Sequence, residues 1–98
     1  MKLKKKPAKA RHLDTAKMAT ANTLNRVIRC ISSYTSVRPI TPEYHVGALC
    51  QDLDYLGADL NEEFGLRGNQ QYWQGEIESD WSVRYLADYT DLKLKQQP

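Results

Sequence analysis

Apolar residues fall along this chain at helical intervals. Leu24, Val27, Ile28, Ile31 and Tyr34 recur at steps of three and four and line one face of a helix. A first helix is therefore predicted from Asp14 or Thr15, either of which can cap it, to about Tyr34. The run Ser32-Ser33-Tyr34-Thr35-Ser36 dissolves the pattern, and Pro39 closes the boundary. A second stripe, Val46, Leu49, Leu53, Leu56, Leu60 and Phe64, keeps the same spacing. For its start, Thr41 suits an N-cap, Pro42 the first helical position and Glu43 the positive end of the helix dipole. Alternatively Gly47 marks the start and residues 40–46 form a loop. Gly47 and Gly57 each weaken this helix by roughly 1 kcal/mol relative to Ala, and Gly65 and Gly68 end it.

Residues 66–79 read as irregular, with one helical turn around Gln70–Gln74 and with Trp73 and Ile77 plugging the core. A last helix is predicted from Asp80 as cap to about Leu92. Trp81, Tyr85, Leu86 and Tyr89 lie near helical spacing on it, with Val83 and Leu92 as additions. The expected fold is all-α, a small three- to four-helix bundle over residues 14–92. A basic arm (1–13), expected to be disordered, precedes it, and a polar end (93–98) follows.

The 98 residues suffice for one domain, and a hydrophobic fraction of 41% is that of a folded chain. No apolar run approaches the ~18 residues of a membrane-spanning helix, and no apolar stretch of the secretory kind follows the basic start. Cys30 and Cys50 sit inside helical pattern without CxxC spacing, as reduced thiols do in the cytoplasm, the expected compartment.

Charge changes the picture more than composition does. The net charge is +2, yet Lys2, Lys4, Lys5, Lys6, Lys9 and Arg11 carry six positive charges before residue 13, with no acid among them. From Glu43 to Asp80 there are nine acids against one basic residue, Arg67. On the second helix the face away from the stripe bears Asp52, Asp59, Glu62 and Glu63, with Asp54 nearby. Acids near a helix C-terminus oppose the dipole, so local helix stability does not account for them. Such a face is either simply solvated or a docking surface for a basic partner.

Catalytic constellations are missing: there is no glycine-rich phosphate loop, no GxSxG and no HExxH. His45 and Cys50, a turn and a half apart, need not face each other, and His12 is too remote to complete a zinc set. The expectation is a binding protein and not an enzyme, with no metal and no cofactor.

The linker Ile40-Thr41-Pro42-Glu43, the stretch Leu60-Asn61-Glu62-Glu63-Phe64-Gly65-Leu66 and the segment Ser82-Val83-Arg84-Tyr85-Leu86-Ala87-Asp88-Tyr89 together resemble the acyl carrier proteins over about residues 20–92. In that family phosphopantetheine is attached to the serine of an Asp-Ser-Leu at the start of the second helix. Aligned without gaps from Phe64, Gly47-Ala48-Leu49-Cys50-Gln51-Asp52 puts Cys50 at the serine position; a shift of two residues puts Asp52 there. Neither register supplies a serine, so loading with phosphopantetheine is not expected.

The resemblance implies a protein–protein docking module. Its acidic second helix (Asp52, Asp54, Asp59, Glu62 and Glu63) would meet a basic patch on a partner, such as an enzyme of fatty-acid, polyketide or lipid synthesis. The alternatives are a nucleic-acid-associated protein using Lys2, Lys4, Lys5, Lys6, Lys9 and Arg11, or an unrelated helical adaptor. The acidic body disfavours nucleic acid, because it repels phosphate.

Overall fold

The computed structural model describes residues 21–96. The predicted start of the first helix, the basic arm and the last two residues lie outside that range. Among the described residues the chain forms α1 (Ala21–Ser32), a one-turn α2 (Val46–Leu49), α3 (Leu53–Phe64) and α4 (Val83–Lys95), with a 3₁₀ turn at Gly68–Gln70. No strand occurs among them, and the fold is a small all-α bundle.

Helix α1 packs against both α4 and α3. Its Val27 and Ile31 are fully buried, as are Leu56 and Leu60 of α3 and Val83 and Leu86 of α4. These are the predicted stripes, meeting in one core that Ile40, Leu66, Tyr72 and Ile77 complete from the connections. Arg26 pairs with Glu63, and Tyr34, just past α1, bonds Asp59. As numbering rises along α1 it falls along α3, so the two helices run antiparallel.

The second helix differs from the expectation of a continuous element starting at Thr41. It begins at Val46, close to the loop alternative, and is interrupted at Cys50-Gln51-Asp52. Cys50 is extended (φ −142°, ψ 123°). Asp52 then caps a new helix, its carboxylate accepting from the Tyr55 N–H at 3.0 Å. The reason residues 42–45 are not helical is tertiary. Segments 42–47 and 79–84 are laced together by Val46 N–H to Trp81 O (2.8 Å), Gly47 N–H to Ser79 O (2.9 Å), Val83 N–H to Tyr44 O (2.8 Å) and Arg84 N–H to Pro42 O (2.9 Å). The first N–H groups of two helices, which have no partner within their own helix, thus find one in each other's lead-in.

Gly47 sits so close to Ser79 that an added Cβ would lie 2.5 Å from the Ser79 Cβ. The residue that weakened the helical pattern is therefore the one that lets these segments touch. At the other end, Gly65 takes a left-handed conformation (φ 65°) and Leu66 N–H reaches back to Asn61 O at 2.9 Å, closing α3 as predicted.

The last helix is shifted from its predicted bounds. Ser82, not Asp80, is the cap, accepting from Tyr85 N–H at 2.9 Å, and the helix continues to Lys95 rather than ending near Leu92. Ile77 is buried as expected, but Trp73 is 48% exposed and does not plug the core. Tyr72 takes that place. The helical turn expected around Gln70–Gln74 is the 3₁₀ turn at Gly68–Gln70.

Candidate functional site

Each carboxylate along α3 has its own surroundings. Asp52 caps α3. Asp54 accepts from Gly75 N–H at 2.9 Å and so fastens the 71–77 loop to the start of the helix. Asp59 accepts a hydrogen bond from the Tyr34 hydroxyl. Glu63 receives Arg26 Nε at 2.8 Å, while a second guanidinium nitrogen donates to the Glu63 carbonyl, also at 2.8 Å. The same guanidinium lies 4.3 Å from the centre of the Phe64 ring. Glu62 is different: it is exposed, and its carboxylate has no hydrogen bond or ion pair among the described residues. Four of the five sequence-predicted docking acids therefore also hold the fold together, which local helix propensity could not have revealed.

Between α1 and α3 lies an open depression of about 440 Å³ lined by Arg29, Cys30, Ser33, Asp59, Glu62 and Glu63. It brings together three of the predicted acids. A second open depression, of about 520 Å³, lies beside the start of α3 against Gln51, Asp52, Leu53, Asp54 and Ile77. Asp59, Glu62 and Glu63 thus line one depression, and Asp52 and Asp54 the other.

The electrostatics of the first depression register on its neighbours. Burial pushes the Cys30 thiol up to about 11, and the charges of Glu63 and Asp59 push the same way against the weaker pull of Arg29 and Arg26. Tyr34 is raised well above the usual phenol range, by desolvation first and then by its bond to Asp59, whose carboxylate disfavours a second negative charge.

Cys50 and Asp52, the two positions that align with the attachment serine, have different environments. Cys50 is 2% exposed, and its thiol faces the Asp52 carbonyl at 3.4 Å. Burial raises its pKa, outweighing a backbone hydrogen bond with Asp52 that lowers it, and the charges of Asp52 and Asp59 push it further up. Asp52 is exposed and caps α3, one residue before its first turn. His45, by contrast, is exposed at the lead-in to α2, paired across an isolated bridge with Ser82.

Two features escaped the sequence reading. One is Tyr55, 66% exposed between the acids. Spacing places it on the outward face of α3 with Ala58, Asp59 and Glu62, positions three, four and seven residues on. Its place off the apolar stripe was the available signal. The other is Lys93, assigned to a polar end but buried on α4. Its Nζ lies 3.0 Å from Glu76 Oε2, donates to Gln71 O at 3.2 Å and sits 4.7 Å from the centre of the Tyr72 ring. Tyr89 donates to the same Glu76 carboxylate at 2.7 Å, and the Tyr72 hydroxyl meets Thr90 Oγ1 at 2.6 Å. Lys93 stands four residues after Tyr89 and seven after Leu86. It is therefore on the buried stripe of α4, and the spacing could have placed it there.

Among the described residues no group of three or more His, Cys, Asp and Glu could hold a metal ion, and no helix is long and apolar enough to cross a membrane. Comparison with protein-family models, curated proteins and solved structures returned no match.

Proposed function

We propose that this chain is a docking module resembling the acyl carrier proteins but not itself loaded, which meets a basic partner protein through the outward face of α3. The observation that carries the reading is Glu62. It is an exposed acid whose carboxylate has no partner among the described residues, on the same helical face as the exposed Tyr55 and beside the partly exposed Asp59 and Glu63. That face offers negative charge around an aromatic side chain, the combination that steers a basic surface and then anchors it. Asp52 and Asp54, which line the second depression, extend the negative field at the start of α3.

The start of α3 supports the unloaded form. Asp52 stands at the head of the helix, where the family carries its serine, and a carboxylate is not the hydroxyl that phosphopantetheine transfer requires. Cys50, the other aligned position, is buried and held protonated. In this role the chain acts by binding and not by catalysis, as a decoy, regulator or scaffold subunit for an enzyme that normally receives a loaded carrier.

Intact mass spectrometry after co-expression with a broad-specificity phosphopantetheinyl transferase and coenzyme A tests the unloaded state. The mass is expected to stay unchanged. A gain matching the phosphopantetheine arm would overturn that part of the reading and restore a carrier.

A further inference from the structure

The chain contains both an acidic helix face and a basic segment complementary to it. We propose that residues 2–11 are an internal ligand for the α3 face formed by Asp59, Glu62 and Glu63, and that they compete there with any basic partner. The competition rests on the docking reading above, whereas the contact between segment and face does not.

Charge complementarity is the first argument. Residues 2–11 carry six positive charges and no acid, and the depression between α1 and α3 presents three carboxylates. Arg26 already neutralises Glu63 in part, which leaves Glu62 and the Asp59 oxygen not bonded to Tyr34 as the principal acceptors. Arg29 also borders the depression, so an incoming cation is favoured on the Glu62 side.

Reach is the second argument. The depression opens beside Cys30, nine residues into α1, about 14 Å along the helix from Ala21. Residues 12–20 join the basic segment to Ala21 and span at most about 30 Å when fully extended. Were they instead to continue α1, Arg11 would lie about 15 Å beyond Ala21, some 29 Å from the depression. The ten residues of the segment can themselves cover up to about 33 Å. Either way, lysines at the segment's start reach Glu62.

Tethering strengthens the contact further. A ligand on the same chain acts at an effective concentration near millimolar, so even a weak contact of exposed charges is substantially occupied at low salt. An outside basic ligand must then displace it, and its apparent affinity falls by the occupied share. A loss of about three- to tenfold is expected when the tethered concentration exceeds the internal dissociation constant by a few times.

The test uses the full chain and a variant with Lys2, Lys4, Lys5, Lys6, Lys9 and Arg11 all changed to Gln. At low ionic strength the amide resonances of Cys30, Ser33, Asp59 and Glu62 should shift between the two chains, while those around Tyr72 and Lys93 stay in place. At high salt the two spectra should superimpose. Deca-lysine peptide should bind the variant about three- to tenfold more tightly than the unaltered chain, and Glu62→Gln should shrink that difference. Identical α3 resonances at low salt would overturn the proposal, the more so if the variant had instead lost binding to a single-stranded oligonucleotide. Equal deca-lysine binding by both chains would overturn the competition and leave the docking reading standing. Shifted resonances without deca-lysine binding to either chain would uphold the internal contact and count against the docking face.

Discussion

The Tyr34 hydroxyl donates to the Asp59 carboxylate, tying the residue just past α1 to the middle of α3. One of the acids read from the sequence as a docking group is thereby also a strut between helices. The same double use recurs at Glu63 with Arg26 and at Asp54 with Gly75 N–H. An acidic surface built this way is held in shape by the fold it decorates.

Tyr34→Phe removes the donor and leaves the partly buried Asp59 carboxylate without it. A loss of about 1–2 kcal/mol in folding stability is expected, as for a hydrogen bond to a charged group. Urea titration of the two chains measures it, and equal midpoints would show that the bond contributes nothing.

Lys93 offers a sharper contrast. Its side chain is 9% exposed and paired with Glu76, whereas Lys95, 56% exposed, pairs with Asp91 one turn back. Lys93→Met should cost about 3 kcal/mol, because it strands Glu76 in a largely buried site. Lys95→Met should cost less than about 0.5 kcal/mol. Similar thermal midpoints for the two variants would contradict the assignment of Lys93 to the core.

Gly47→Ala tests the lacing of segments 42–47 and 79–84. Helix propensity alone predicts a gain of roughly 1 kcal/mol. The added methyl, however, would lie 2.8 Å from the Ser79 carbonyl oxygen as well as against its Cβ, and both belong to a segment pinned by backbone bonds. A net loss of about 2 kcal/mol is expected; a more stable variant would show that the two segments separate easily.

Alkaline pH should weaken the fold. The thiol of Cys30 titrates near 9.0 ordinarily and near 11 in the folded chain, and Tyr34, Tyr72 and Tyr89 are raised above the usual phenol value in the same sense. The folded state thus holds protons that the unfolded state releases first. Stability is full below about pH 9 and falls as pH climbs through the folded-state values. The same shift reduces the Cys30 thiolate on the order of 100-fold at neutral pH, so iodoacetamide should label it slowly until urea unfolds the chain. Labelling at the rate of a free thiol would contradict the environment described.

Much of this fold was legible because burial follows the apolar stripes. Val27, Ile31, Val46, Leu56, Leu60, Phe64, Val83 and Leu86 were all readable from spacing, and Gly65 from its position after the stripe. What was hidden depends on contacts between distant segments. The lead-in to α2 looked helical from Thr41-Pro42-Glu43, but Pro42 and Tyr44 give their carbonyls to α4. Trp73 looked like core and Lys93 like surface, and the fold reverses them by seating Tyr72 against Thr90 and drawing Lys93 over its ring. Of the docking acids, the sequence located the helix; only the fold distinguishes Glu62 from the four that also hold structure.

The central claim, docking through the outward face of α3, is tested most directly by competition. A purified acyl-chain-synthesis enzyme with a basic carrier-binding patch would be assayed with its own carrier protein and increasing amounts of this chain. Inhibition competitive with the carrier is expected, together with its loss on Glu62→Lys and its weakening by salt. Absence of inhibition, or inhibition unchanged by Glu62→Lys, would contradict the account.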